Sequence, residues 1–372
     1  MNKSRDHQDS VMTNSFAREV RHEWVDYAKC IGIFLVVYGH VSRGVYNAGI
    51  EVPPGFYQWA DSVIYTFHMP LFFFLSGLFF YSSIQKKGSL KLVFSKVDTI
   101  FYPYVIWSIF QGTVEVSLSS YTNGSVLFSD VFSLLLEPRA QFWFLYSLFF
   151  IFILAAVCFF VLNRLAIILV FLISLLMHAF AESFFLSVMV NYVLDNFVFF
   201  MMGVLFSQYA SVKKLVTPMS LIFCMLLFVI SQYLFHSDVV INRMYVSLLE
   251  FFVVAFSLML VVSVSYQLSL KPSKIIIFIG SYSMAIYLMH ILVGGAVRIL
   301  LSRLFFVESY VTHISVGVVM AIVIPLLSVL LIKKYSIPYV FSAPVSTIIS
   351  STILTPISVW LNRKNKAPSR KR

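Results

Sequence analysis

Several polar side chains in this sequence sit at helical spacing inside apolar runs, and their types can attract anions or move protons. Lys29 and His40 stand eleven positions apart in DYAKCIGIFLVVYGH. Eleven residues make close to three turns of α-helix, about 16 Å of rise, so both side chains point to nearly one face. That face carries a cation at one end and an imidazole deep in the run. An imidazole changes charge near neutral pH, which suits it to accept a proton. His68 precedes Pro70 in SVIYTFHMPLFFFLSG, where the proline frees a backbone carbonyl and makes room at a kink. His290, Tyr287 and Ser283 in GSYSMAIYLMH share one helical face.

The composition places these residues in a membrane. The chain has 372 residues, 60% hydrophobic and only 12% charged. An ordinary soluble domain carries about 25% charged residues, so a cytosolic enzyme, a secreted domain and a disordered chain are excluded. Long apolar runs recur without the period-two alternation of a lipid-facing strand. In a bilayer each run must satisfy its own backbone hydrogen bonds, which makes it a helix of roughly 20 residues. The expected fold is all-α, a polytopic helical bundle with about ten transmembrane helices. They lie near 28–48, 57–81, 99–118, 142–162, 165–182, 189–208, 216–235, 244–266, 275–302 and 313–332. Prolines 338, 344 and 356 argue against an eleventh span.

Cytoplasmic loops retain Lys and Arg. With the N-terminus inside, 22 of the 27 basic residues fall on the inner side, leaving Arg43, Arg139, Arg243, Arg298 and Arg303 outside. Both termini are therefore expected in the cytoplasm. The organisation reads as a polar tail over 1–25, a transmembrane domain over 26–334, and an interfacial segment with a basic tail over 335–372. The net charge of +11 is spread between apolar runs and at the two ends, a membrane pattern with no call for nucleic acid. Cys30, Cys158 and Cys224 have no ligand-like spacing, so no disulfide framework and no metal are expected. GxSxG, Walker A, GxGxxG and HExxH motifs do not occur.

Ionisable groups inside a bilayer are costly and by default mark functional positions. Each also serves singly as a tether, Lys29 by snorkelling and each histidine through a hydrogen bond of ~1 kcal/mol. Three histidines at comparable depth on three spans instead predict a shared polar chamber. Asp195 and Glu250 lie deep enough to line it. Glu115, Glu182 and His178 near span ends, and His236 and His313 in loops, read as solvated. Trp24, Trp59 and Trp107 read as interface anchors.

Four blocks in order resemble the membrane-bound acyltransferase 3 family, in its stand-alone sugar O-acetyltransferase branch. They are DYAKCIGIFLVVYGH with its Lys-X10-His pattern, FHMPLFFFLSG, FWFLYSLFF and GSYSMAIYLMH. One departure is Thr99, which stands where relatives carry a second basic residue beside Lys96. The resemblance implies a multi-pass protein of the bacterial inner membrane that moves an acetyl group from acetyl-CoA, its acyl-donor co-substrate, to a sugar hydroxyl. The acceptor would be a cell-surface polysaccharide or a lipid-linked glycan precursor. Lys29, Lys91 and Lys96 would attract the donor's phosphates. His40 would be the general base or form an acetyl-histidine. His68, Tyr287 and His290 would orient the acceptor or stabilise the oxyanion. On this reading His40 borders a cavity continuous with the cytoplasmic face. A transporter or flippase of a glycan or small solute, and a non-enzymatic assembly subunit, remain as alternatives, since transporters also have many spans and broken helices.

Overall fold

A computed structural model describes residues 23–119, 127–133, 137–161, 166–180, 187–237 and 243–349. The N-terminal tail to residue 22, Arg164, Glu182, parts of the 117–141 loop and the basic tail from 350 lie outside the described residues. Among the described residues every regular element is helical. In chain order they are α1 (Glu23–Asn47), α2 (Pro54–Leu78), α3 (Phe80–Lys87), α4 (Ser89–Lys96), α5 (Tyr102–Ser117), α6 (Phe128–Phe132), α7 (Trp143–Val161), α8 (Ala166–Phe180) and α9 (Val188–Tyr209). They continue with α10 (Val212–Leu215), α11 (Pro218–His236), α12 (Arg243–Ser269), α13 (Lys274–Ser281), α14 (Ser283–Arg303), α15 (Tyr310–Lys334) and α16 (Val345–Ile349).

The protein is a polytopic helical membrane protein, and all ten apolar runs are helical where described. Eight of these helices are long and apolar enough to cross a membrane. The other two runs have shorter described helices. Helix α8 has 15 described residues, and residues 162–165 and 181–186 on either side lie outside the described ones. Helix α5 has 16 residues, but it continues α4 through a π turn at Val97–Phe101. Pro103 explains that turn. It has no N–H to offer the carbonyl one turn back, and the Tyr102 N–H bonds instead to the Val97 carbonyl, five residues back.

The run 275–302 is also not one helix. It breaks at Tyr282, whose N–H is shared among the carbonyls of Phe278, Ile279 and Gly280. Helix α14 then continues to Arg303.

Helix α1 is the centre of the bundle and packs against α2, α12, α13, α14 and α15. Two close approaches in the bundle, one of α13 to α1 and one of α2 to α9, depend on glycine. A Cβ on Gly280 would lie 1.9 Å from the Asp26 carbonyl oxygen. Where α2 crosses α9, a Cβ on Gly77 would lie 2.0 Å from the Phe200 oxygen, and one on Gly203 2.0 Å from the Phe74 oxygen.

The lysine clusters gather at one end. The Tyr27 hydroxyl accepts the Ser273 N–H at 2.7 Å and donates to the Lys271 carbonyl at 3.3 Å. The Lys333 ammonium donates to the Tyr282 hydroxyl. The segment after α15 docks beside α5, where the Tyr102 hydroxyl donates to the Tyr339 carbonyl and the Trp107 Nε1–H to that of Val340. Trp107 and Trp24 are buried packing residues rather than interface anchors, whereas Trp59 is exposed.

Candidate active site

His40 lies on α1 beyond a tightly packed stretch. Ile33, Val36 and Val37 fill the helix face between it and Lys29, each at 0% exposure. The His40 ring meets the His290 ring of α14, with centroids 5.1 Å apart and planes at 60°. It lies 6.3 Å from Tyr65 on α2, and Tyr65 lies 4.5 Å from His68. The three histidines therefore do converge, His40 and His290 directly and His68 through Tyr65. A side chain on Gly39 would press on the Tyr65 ring at 2.9 Å, so glycine there admits this contact.

Two of these imidazoles, His68 and His290, are oriented by backbone. His68 Nδ1 is 2.8 Å from the Ile64 carbonyl. His290 Nδ1 is 2.7 Å from the Tyr287 carbonyl and 3.2 Å from that of Ile286. Carbonyls only accept, so in a neutral ring these nitrogens carry the proton and Nε2 is left as the lone pair. The Tyr287 hydroxyl donates to the Gln141 carbonyl, which engages its proton.

Sequence reasoning did not find the groups around this cluster. Arg43, three positions beyond His40, lays its guanidinium over the Tyr65 ring at 3.2 Å and grips Asp61 at 2.7 and 2.8 Å. The i+3 spacing from His40 was the only local sign of it. Gln111 and Gln141 exchange amide hydrogen bonds at 2.7 and 3.2 Å. Gln111 also donates to Glu115, which pairs with Arg139 at 2.9 Å. Glu115 is therefore ion-paired rather than simply hydrated.

Two further expectations are corrected. His178 is 5% exposed, with its two ring nitrogens 3.0 and 3.2 Å from the carbonyls of Asp195 and Ser247. His313 is 1% exposed on α15, its Nε2 2.9 Å from the Val307 carbonyl. Proximity to a span end did not mean contact with water, because neighbouring helices cover both rings. His236 is half-buried, hydrogen-bonded to Ser62.

Two cavities meet at His40. One, of about 500 Å³, lies among α1, α5, α14 and α15 and is bordered by His40, His290 and His313. The other, of about 540 Å³, is bordered by His40, Arg43, His68, Tyr287, Asp195 and Glu250. Both lie toward the bundle end opposite the lysine clusters. Neither is bordered by Lys29, Lys91 or Lys96, and Ile33, Val36 and Val37 between Lys29 and His40 are fully buried. At the lysine-rich end Lys29 Nζ is 4.0 Å from Asp26 Oδ1 and Lys91 is exposed. Lys96 sits 4.2 Å over the Phe152 ring. Burial pulls its ammonium down to about 8, with the charge of Lys87 adding to the effect. Thr99 is exposed and donates its hydroxyl to the Ser95 carbonyl.

His40 borders both cavities, His290 and His313 border the first, and His68 and His178 the second. A family model described as an acyltransferase domain matches residues 22–332. The chain belongs to the acyltransferase 3 family and is a membrane acyltransferase. No curated relative and no solved structure matches it.

Proposed function

We propose that the enzyme transfers an acetyl group from acetyl-CoA to a sugar hydroxyl of a surface polysaccharide or lipid-linked glycan precursor, in the inner membrane of a bacterium, with both termini cytoplasmic. The observation that carries this reading is His40 at the junction of the two cavities, ring to ring with His290. A hydroxyl becomes a competent nucleophile when a base takes its proton, and a neutral imidazole does so near pH 7. His40 is that base. The hydroxyl oxygen attacks the thioester carbonyl, the carbon–sulfur bond breaks, and the proton held by His40 passes to the leaving thiolate. His290 orients the acceptor, and His68 with Tyr287 lines the space where the oxyanion forms.

The donor is captured by Lys29, Lys91 and Lys96, which offer phosphates a cationic approach. Ile33, Val36 and Val37 are packed between Lys29 and His40, so an arm running along that face of α1 parts them from their neighbours. The test is acetyl-CoA-dependent labelling of membrane glycan in cells carrying the wild type or His40→Ala. Labelling by the wild type alone, with both proteins inserted, is expected. Equal labelling by both removes His40 from the chemistry.

A further inference from the structure

The cavity of about 500 Å³ is bordered by two histidines that each leave one ring nitrogen unmet. His290 Nδ1 is bound to backbone carbonyls, which leaves Nε2 a bare lone pair. His313 Nε2 faces the Val307 carbonyl, which leaves Nδ1 bare in the same way. Both bare nitrogens are buried and have no hydrogen-bond partner among the described residues. Buried acceptors of this kind are costly to leave unmet. Whatever fills the cavity must bring donors.

The spacing narrows the choice. Val41 of α1 abuts Gly294 of α14 and Gly317 of α15. His290 lies one turn to one side of that level and His313 one turn to the other. The two are thus separated by about two turns, roughly 11 Å along the axis, which spans more than one sugar ring. Arg298 borders the same space and disfavours an ammonium, while Glu115 is already held by Arg139. Neutral donors remain, and the hydroxyls of a sugar supply several at such a spacing. The facing wall is apolar, formed by Phe110 and Val114 on α5 and by Leu118 just past its end. Phe110 is 52% and Leu118 43% exposed, so this wall meets the bilayer.

We infer that this cavity binds the acceptor as an amphiphile, a sugar carried on an aliphatic chain. Its hydroxyls donate to His290 Nε2 and His313 Nδ1, and its chain crosses α5 into the lipid. The inference rests on the transferase reading and chooses the lipid-linked acceptor over a free polymer. It also makes His313 a binding residue.

The test uses the full chain in phospholipid nanodiscs and a dodecyl maltoside bearing a diazirine in its chain. Photolabelling is expected on Phe110, Val114 or Leu118, competed by dodecyl maltoside but not by maltose or dodecylphosphocholine at equal concentration. His313→Leu should cut labelling about tenfold, as expected for one buried hydrogen bond whose partner is lost. Gly295→Phe should do the same by filling the cavity, since a Cβ on Gly295 meets nothing within 4 Å. Equal competition by dodecylphosphocholine, or labelling unchanged in both variants, overturns the inference. Acyl transfer is assayed in parallel on the same samples. Specific labelling without transfer upholds this site and defeats the transferase reading alone; transfer without specific labelling defeats this site alone.

Discussion

His40 and His290 face each other across α1 and α14 with ring centroids 5.1 Å apart. One ring borders both cavities; the other is fully buried and fixed by two backbone carbonyls. A proton acceptor beside an oriented neighbour acts as a unit. His40→Ala and His290→Ala should each lower kcat by about 10²–10⁴, the usual worth of general base catalysis. The double variant should be little worse than the poorer single one, because residues acting together are not additive. Steady-state transfer by the three variants checks this; independent, multiplying losses would contradict it.

Arg43 joins this cluster through Tyr65. Its planar guanidinium holds Asp61 with two hydrogen bonds while covering the ring, and a lysine cannot do both. The pair is partly exposed, so its contribution to stability is small. Arg43→Lys should therefore reduce kcat about tenfold, a loss of roughly 1.4 kcal/mol in the barrier, with an unchanged melting temperature. Loss of melting temperature without loss of kcat would assign the pair a purely structural role.

Donor capture should depend on pH through Lys96. Burial places its ammonium near 8, lower than an ordinary lysine. The group is cationic below that value and neutral above it, and only the cation attracts phosphate. The kcat/KM for acetyl-CoA, which reports the free enzyme, should fall as pH rises through about 8. Lys96→Gln should remove that limb and Lys96→Arg should move it to higher pH. A limb that survives in Lys96→Gln assigns the titration elsewhere.

The crossing of α2 and α9 should be highly sensitive to substitution. A methyl on Gly77 or Gly203 meets backbone oxygen at 2.0 Å, and backbone does not yield as a side chain does. Gly77→Ala and Gly203→Ala should each destabilise the fold by about 1–3 kcal/mol. Because they strain one contact, the double variant should cost less than the sum. Thermal unfolding in detergent measures this.

Much of the bundle was legible because hydropathy reports burial in lipid directly. It reports nothing of backbone geometry, so the π turn at Val97–Phe101 and the break at Tyr282 went unseen, although Pro103 was a visible sign of the first. The spacing of Lys29 with His40 and of Tyr287 with His290 follows from the helical period and was readable. Asp61 with Arg43, and Glu115 with Arg139, depend on pairing between separate elements. His313 and His178 were misread because position along a span does not reveal which neighbour covers a side chain. The packing of Ile33, Val36 and Val37 between Lys29 and His40 closes a face that periodicity alone could place but not fill.

The central claim is that His40 takes the acceptor's proton during acyl transfer. The most direct measurement is single-turnover transfer from radiolabelled acetyl-CoA to membrane glycan acceptor by purified protein in liposomes, comparing the wild type with His40→Gln. Rapid transfer by the wild type and almost none by the variant are expected, at equal insertion and equal donor binding. Transfer by His40→Gln at the wild-type rate would contradict it.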